Sequence, residues 1–238
     1  MTRILKRFGF ALALNCVLAS SAWSVVAFDA TANSLCTSCT SLTFALTTSG
    51  SDRLLIVGAG WGDTTGSITG VTYNSVALTS VTVVNNSSDA NSHMWQLIAP
   101  NTGANNVVIS ASETMSELVG GAVTFTGVDQ TTPLGTAATN SGNSTTITVT
   151  VSSATDEIVI DAMAFGNTGA TVDASQTARW DRDGSVLTSG GGSTEAGAAS
   201  TVMSWSLPGG GRWATIGVGV KPVSAGAAPN FYRRRVGG

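Results

Sequence analysis

The chain has 238 residues, only 11% of them charged and 42% apolar, with a formal net charge of −3. Six of the 11 Lys and Arg lie at the two ends (Arg3, Lys6 and Arg7; Arg233, Arg234 and Arg235), leaving five basic residues against all 14 acidic ones in the body. An acidic body argues against a nucleic-acid-binding face, which needs clustered Lys and Arg. The scarcity of Glu, Lys and Arg also removes the wet face that long helices require.

The N-terminus reads as an export signal. Basic residues at 1–7 precede an uncharged apolar run at 8–28, followed by small residues at two cleavage-like positions. Residues 1–22 are therefore expected to be a signal peptide cut after Ala22, with Ala27 as the competing site. An uncleaved segment would instead be a membrane anchor, since the run is just long enough to span. No other segment is apolar enough to cross.

From there strand-like segments recur at 25–30, 41–47, 53–61, 68–73, 76–85, 93–99, 106–112, 118–128, 144–152, 157–165, 176–180, 200–207 and 212–221. STTITVTVS at 144–152 shows the period of two most clearly, with Ile147, Val149 and Val151 on one face and threonines on the other. Gly, Ser, Asn and Pro clusters, among them 189–193, read as turns. Short strands at this spacing, with no helical patterns between them, predict an all-β protein: a single antiparallel β-sandwich, jelly-roll-like, over 23–222, followed by a flexible basic tail at 223–238. Three segments are apolar on both faces (54–57, 118–125 and 158–165) and are the expected central strands. No internal repeat is evident.

RLLIVGAGW at 53–61, VTYNSVAL at 71–78, FTGVDQTTPLGT at 125–136 and GSTEAGAASTVMSW at 192–205 resemble a β-sandwich module of uncharacterised bacterial surface and phage-associated proteins. There the module recurs in tandem; here it is read once, across most of 28–222. The resemblance implies an extracellular or virion-surface setting and brings no catalytic residues.

Among chemical motifs, Cys36-x-x-Cys39 is the sharpest. In an oxidising compartment it is expected to close as a small disulfide in a Ser/Thr-rich loop. A redox site would need a helix N-terminus, and a zinc site two more ligands. His93 is the only histidine, so any Ser-His-Asp arrangement must use it. Asp181-x-Asp183-Gly184 resembles part of a calcium loop but fails the EF-hand spacing. Asp181 and Asp183 are the weak calcium candidates, with Asp173 or Glu195 as further ligands, and no other cofactor is expected. The four glutamates, Glu113, Glu117, Glu157 and Glu195, identify no glycosidase pair. The tryptophans at 61, 95, 180, 205 and 213 read as core packing or as sugar-stacking platforms. The chain is thus expected to be a secreted, non-enzymatic structural or adhesion module that works by self-assembly or with other surface proteins. A lectin-like carbohydrate-binding jelly roll is the alternative, and a carbohydrate-active enzyme the remote one.

Overall fold

The computed structural model describes residues 25–224 apart from 64, 88–89 and 185–187. The expected signal peptide and nearly all of the basic tail lie outside the described residues. The described residues form thirteen strands: β1 (Ala27–Thr48), β2 (Leu54–Trp61), β3 (Ile68–Tyr73), β4 (Val76–Ala77), β5 (Thr79–Asn86), β6 (Ala90–Ile98), β7 (Gly103–Thr126), β8 (Ala138–Val151), β9 (Ile158–Phe165), β10 (Thr171–Val172), β11 (Thr177–Arg182), β12 (Ser189–Ala196) and β13 (Thr201–Val220). All pairings are antiparallel, in two sheets packed face to face. The expected all-β sandwich is what the chain adopts.

Each sheet comes from one contiguous half of the chain: β1–β7 in the first, β8–β13 in the second. Each is also folded over on itself, because two of its strands are long and kinked. In the first half, β1 and β7 pair along their whole length, but between the pairs Cys39↔Met115 and Ser41↔Ser110 one residue of β1 stands opposite four of β7. In the second, β8 and β13 do the same between Ser144↔Gly211 and Thr146↔Ser206. A bulge bends a strand pair, and these large ones carry the chain from an inner layer to an outer one. Four layers result. Leu42, Phe44, Val71, Tyr73, Val107 and Ile109 of one outer layer close over Leu55, Val57, Ala59, Trp61 and Trp95 of the inner one. The two inner layers meet through Leu54, Ile56, Val123 and Phe125 on one side and Ile160, Ile216, Val218 and Val220 on the other. Met163, Phe165, Trp205 and Trp213 fill the space under the second outer layer.

This stacking explains the sequence pattern. Inner strands have no wet face, so every residue of β2 is buried, as are 118–125 of β7 and 213–220 of β13. Outer strands have one wet face, so 41–48 and 146–151 alternate. The three both-face-apolar segments are indeed central.

The two halves share one pairing scheme. β2 lies between β6 and β7, and β9 between β12 and β13; β5 borders β6 as β11 borders β12; β3 joins β7 as β10 joins β13. Even a one-residue bulge recurs, between Ser80 and Thr82 in β5 and between Ala178 and Trp180 in β11. Only β4 lacks a counterpart. The fold therefore contains an internal structural repeat, one that the sequence does not display. In register, SLTFALTT (41–48) matches TITVTVSS (146–153), and RLLIVGAGW (53–61) matches EIVIDAMAF (157–165). The halves face each other about a pseudo-twofold axis. A Cβ on Gly58 would stand 2.7 Å from that of its counterpart Ala162, and one on Gly60 2.8 Å from that of its counterpart Ala164. The reciprocal contacts agree: β11 packs on β1 and β7, and β5 on β8 and β13.

The Gly-rich stretch read as a turn at 189–193 is corrected. It is the buried strand β12. Its glycines make room for an indole: a Cβ on Gly192 would fall within 2.3 Å of Trp180 Nε1, and one on Gly190 within 3.3 Å of the Trp180 ring. FTGVDQTTPLGT is the connector between halves, where Asp129 Oδ1 accepts from Thr131 N and Thr132 N and Val128 bridges to Pro222.

Candidate functional site

The folded-over first sheet leaves a slit between the β2–β3 loop and the β5–β6 hairpin. The slit is a cleft of about 230 Å³, walled by Trp61, Asp63, Val83, Asn85, Asn91 and His93 among others. The strand register places these groups. Odd-numbered residues of β2 face the outer layer, and His93 pairs with Ala59, Asn91 with Trp61, and Val83 with His93. His93 is therefore not the rim residue that a strand start suggests: it is 9% exposed and stacks at 4.4 Å on Trp95. Its Nε2 shares a 2.8 Å hydrogen bond with Ser80 Oγ. Burial pulls the imidazole down to about 4, so it is neutral at physiological pH. Because it is the chain's single histidine, its Hε1 resonance is unambiguous. An NMR titration is expected to show a midpoint near 4; a midpoint near the ordinary 6.5 would mean that the ring is solvated.

The chemistry within reach is limited. Ser80 and His93 supply a nucleophile type beside a base type. Among the described residues no carboxylate hydrogen-bonds the second ring nitrogen, and a base with so low a pKa takes protons poorly at neutral pH. Asp63 lines the same cleft, but its two oxygens accept from Ser116 N and Ser116 Oγ, both at 2.8 Å. Asn91, almost fully buried, donates from Nδ2 to the carbonyls of Trp61 and Asp63 and so fixes the loop.

The other candidates fall elsewhere. Asp181 and Asp183 lie at the end of β11, in the positions that Val83 and Asn85 hold in the first half. Asp183 Oδ1 accepts from Gly169 N at 2.8 Å, and burial together with the Asp183 charge pushes the Asp181 carboxyl up. Asp173 caps its own turn through Ser175 N and Oγ. Among the described residues no three His, Cys, Asp or Glu side chains gather as a metal site. The glutamates are likewise apart: Glu117 Oε2 accepts from Thr188 N at 2.8 Å, while Glu113 bonds Thr65. Cys36 and Cys39 are joined, with Cα atoms 6.1 Å apart. Their place is the kink of β1 and not a loop, and Ser38 between them takes a positive φ of 49°. So short a closed loop contributes at most about 2 kcal/mol. The five strand-associated tryptophans are all buried, between 1% and 8% exposed, and so present no open stacking face.

One buried group carries no sequence signal at all. Asp161 of β9 is 1% exposed and accepts from Ser193 N at 2.6 Å, Ser193 Oγ at 2.8 Å and Trp205 Nε1 at 2.7 Å. Gln176 extends this network, donating to Ser193 Oγ and accepting from Ser204 N. Its role is to tie the second outer layer to β9. Compared with family models, with curated proteins and with solved structures, the chain matches none.

Proposed function

We propose that the chain is a non-enzymatic interaction module that self-associates by strand addition at the free edge of β1. The carrying observation is that edge. β1 runs for 22 residues and hydrogen-bonds along one side only, to β7. An unpaired strand edge is a template for another strand, and proteins that remain monomeric guard such edges with Lys, Pro or side-chain caps. β1 carries no Lys, Arg or Pro, and Asp29 is its one charge. Residues 27–41 are all at least partly exposed, and among the described residues no side chain bonds the β1 backbone between Thr31 and Thr37. The equivalent stretch of β8 is guarded: its Gly142 carbonyl accepts from Asn86 Nδ2 at 2.6 Å, and its Ser141 N donates to Asn140 Oδ1 at 2.9 Å.

The export-like leader, the Cys36–Cys39 pair and the resemblance to surface and phage-associated modules support placement outside the cell or on a virion. The acidic body supports a protein partner over a nucleic acid. Sedimentation velocity over a concentration series tests the reading. Wild type is expected to associate as concentration rises. Asn33→Lys in β1 is expected to leave it monomeric, and Asn143→Lys in β8 to change nothing. A wild type that stays monomeric throughout overturns strand addition.

A further inference from the structure

The cleft beside His93 lies at the β5–β6 side of the first half, away from β1, and is independent of strand addition. We infer that it binds one neutral pyranose residue, with His93 and Asn85 hydrogen-bonding its hydroxyls and Val83 forming the apolar wall.

Four observations carry this. First, His93 is nine-tenths buried, yet it lines an open cleft, and among the described residues only one of its ring nitrogens has a protein partner. The second ring nitrogen is not among the buried polar atoms left without a partner, so it opens to the cleft, where a ligand can meet it. A neutral imidazole and a carboxamide both donate and accept, which suits hydroxyls. Second, among the described residues the lining contains no Lys or Arg and one carboxylate, Asp63, which is engaged by Ser116. This set does not suit an anion. Third, about 230 Å³ is smaller than the roughly 300–1,000 Å³ of sites for drug-sized ligands and fits a single ring. Fourth, the fold does not impose these groups. At the matching positions the second half has Gly191 for His93, Asp181 for Val83 and Asp183 for Asn85. There Asp183 is turned to Gly169 N, and Ser189, the counterpart of Asn91, donates to the Asn167 carbonyl. One half of a duplicated fold has kept or gained a polar cleft, and the other has tied its polar groups to its own loops.

The test is an NMR titration of the His93 imidazole with the methyl pyranosides of glucose, galactose, mannose and N-acetylglucosamine, carried into the millimolar range. At least one is expected to shift the His93 signal along a saturating curve. Asn85→Asp, which installs the second half's residue, is expected to weaken that binding at least about tenfold, the scale of one lost hydrogen bond. Asp183→Asn, the matching position of the second half, is expected to leave it unchanged. His93→Gln, followed by calorimetry with its melting temperature as the folding check, is expected to lose the binding while remaining folded. No saturable shift with any of the four sugars overturns the inference. So does equal binding by Asn85→Asp, or a response confined to glucuronate or inorganic phosphate.

Discussion

Gly121→Ala is expected to be among the most damaging single-methyl additions to this protein, lowering its stability by about 3 kcal/mol in urea denaturation. A Cβ at Gly121 would sit 2.0, 2.2 and 2.6 Å from three atoms of the Trp180 indole. That indole projects from β11 into the contact between the halves. It rests against four glycines, Gly58, Gly121, Gly190 and Gly192, drawn from β2, β7 and β12. Overpacking of this kind is felt because neither inner layer can retreat, each being closed by an outer layer behind it. The cost belongs to the pair, so removing the indole should remove it. In a Trp180→Leu background, itself destabilised by loss of buried ring, Gly121→Ala is expected to cost less than about 0.5 kcal/mol, a coupling well above that between independent sites. Equal costs in both backgrounds would show that the halves do not meet as described. The matching positions of the other half hold Thr82 and Ile216, so the indole and the glycine each have a counterpart of the opposite size.

The second large effect is a pH dependence from Asp161. Burial raises its carboxyl to about 6, against the opposing pull of the hydrogen bonds from Trp205 and Ser193. In the unfolded chain the group titrates near 3.8. Below that pH the carboxyl is protonated in both states and its contribution is fully present. Between about 4 and 6 the unfolded chain ionises while the folded one resists, and the contribution is lost as pH rises. Two pKa units correspond to about 3 kcal/mol. Folding stability is therefore expected to fall by up to about that amount between pH 4 and pH 7. Asp129 and Asp173, held down chiefly by backbone hydrogen bonds, act in the opposite direction at lower pH. Asp161→Val installs the residue that the first half has here, Val57. It strands the donors on Ser193 and Trp205, at about 1–3 kcal/mol each. The variant is expected to be much less stable than wild type at pH 4, with the gap narrowing towards pH 7. A constant gap across that range would contradict the buried, raised carboxyl.

Much of this architecture was legible in the sequence. Alternation at 41–47 and 144–152 marked the outer strands, and double-faced apolar runs at 54–57, 118–125 and 158–165 marked the inner ones. Periodicity did not show that neighbouring segments are one strand. The segments at 25–30 and 41–47 fuse into β1, those at 106–112 and 118–128 into β7, and those at 200–207 and 212–221 into β13. The kinks between them carry Ser, Thr, Gly and Pro, the same chemistry as true turns. β12 was missed because SGGGS looks like a loop until Trp180 is placed over it. The duplication was hidden because the layer position is retained and the residue identity is not: across the nine positions of β2 and its counterpart with their leading residue, only Ile56 and Ile160 are the same. The cleft was the least legible. His93 was noted as solitary, but nothing in the chain linked it to Ser80, Asn85 or Asp63, which reach it only through strand register and the fold-over of the first sheet. The same holds for Asp161, whose partners lie 32 and 44 residues away.

The most direct measurement of the central claim is amide hydrogen exchange at low and high protein concentration. If a second copy adds to the free edge of β1, slow exchange should appear at high concentration in Thr31–Thr37, at amides pointing away from β7, with β8 unchanged. Asn33→Lys should abolish that gain. Exchange in β1 that does not depend on concentration, or new protection in β8 instead, would contradict the account.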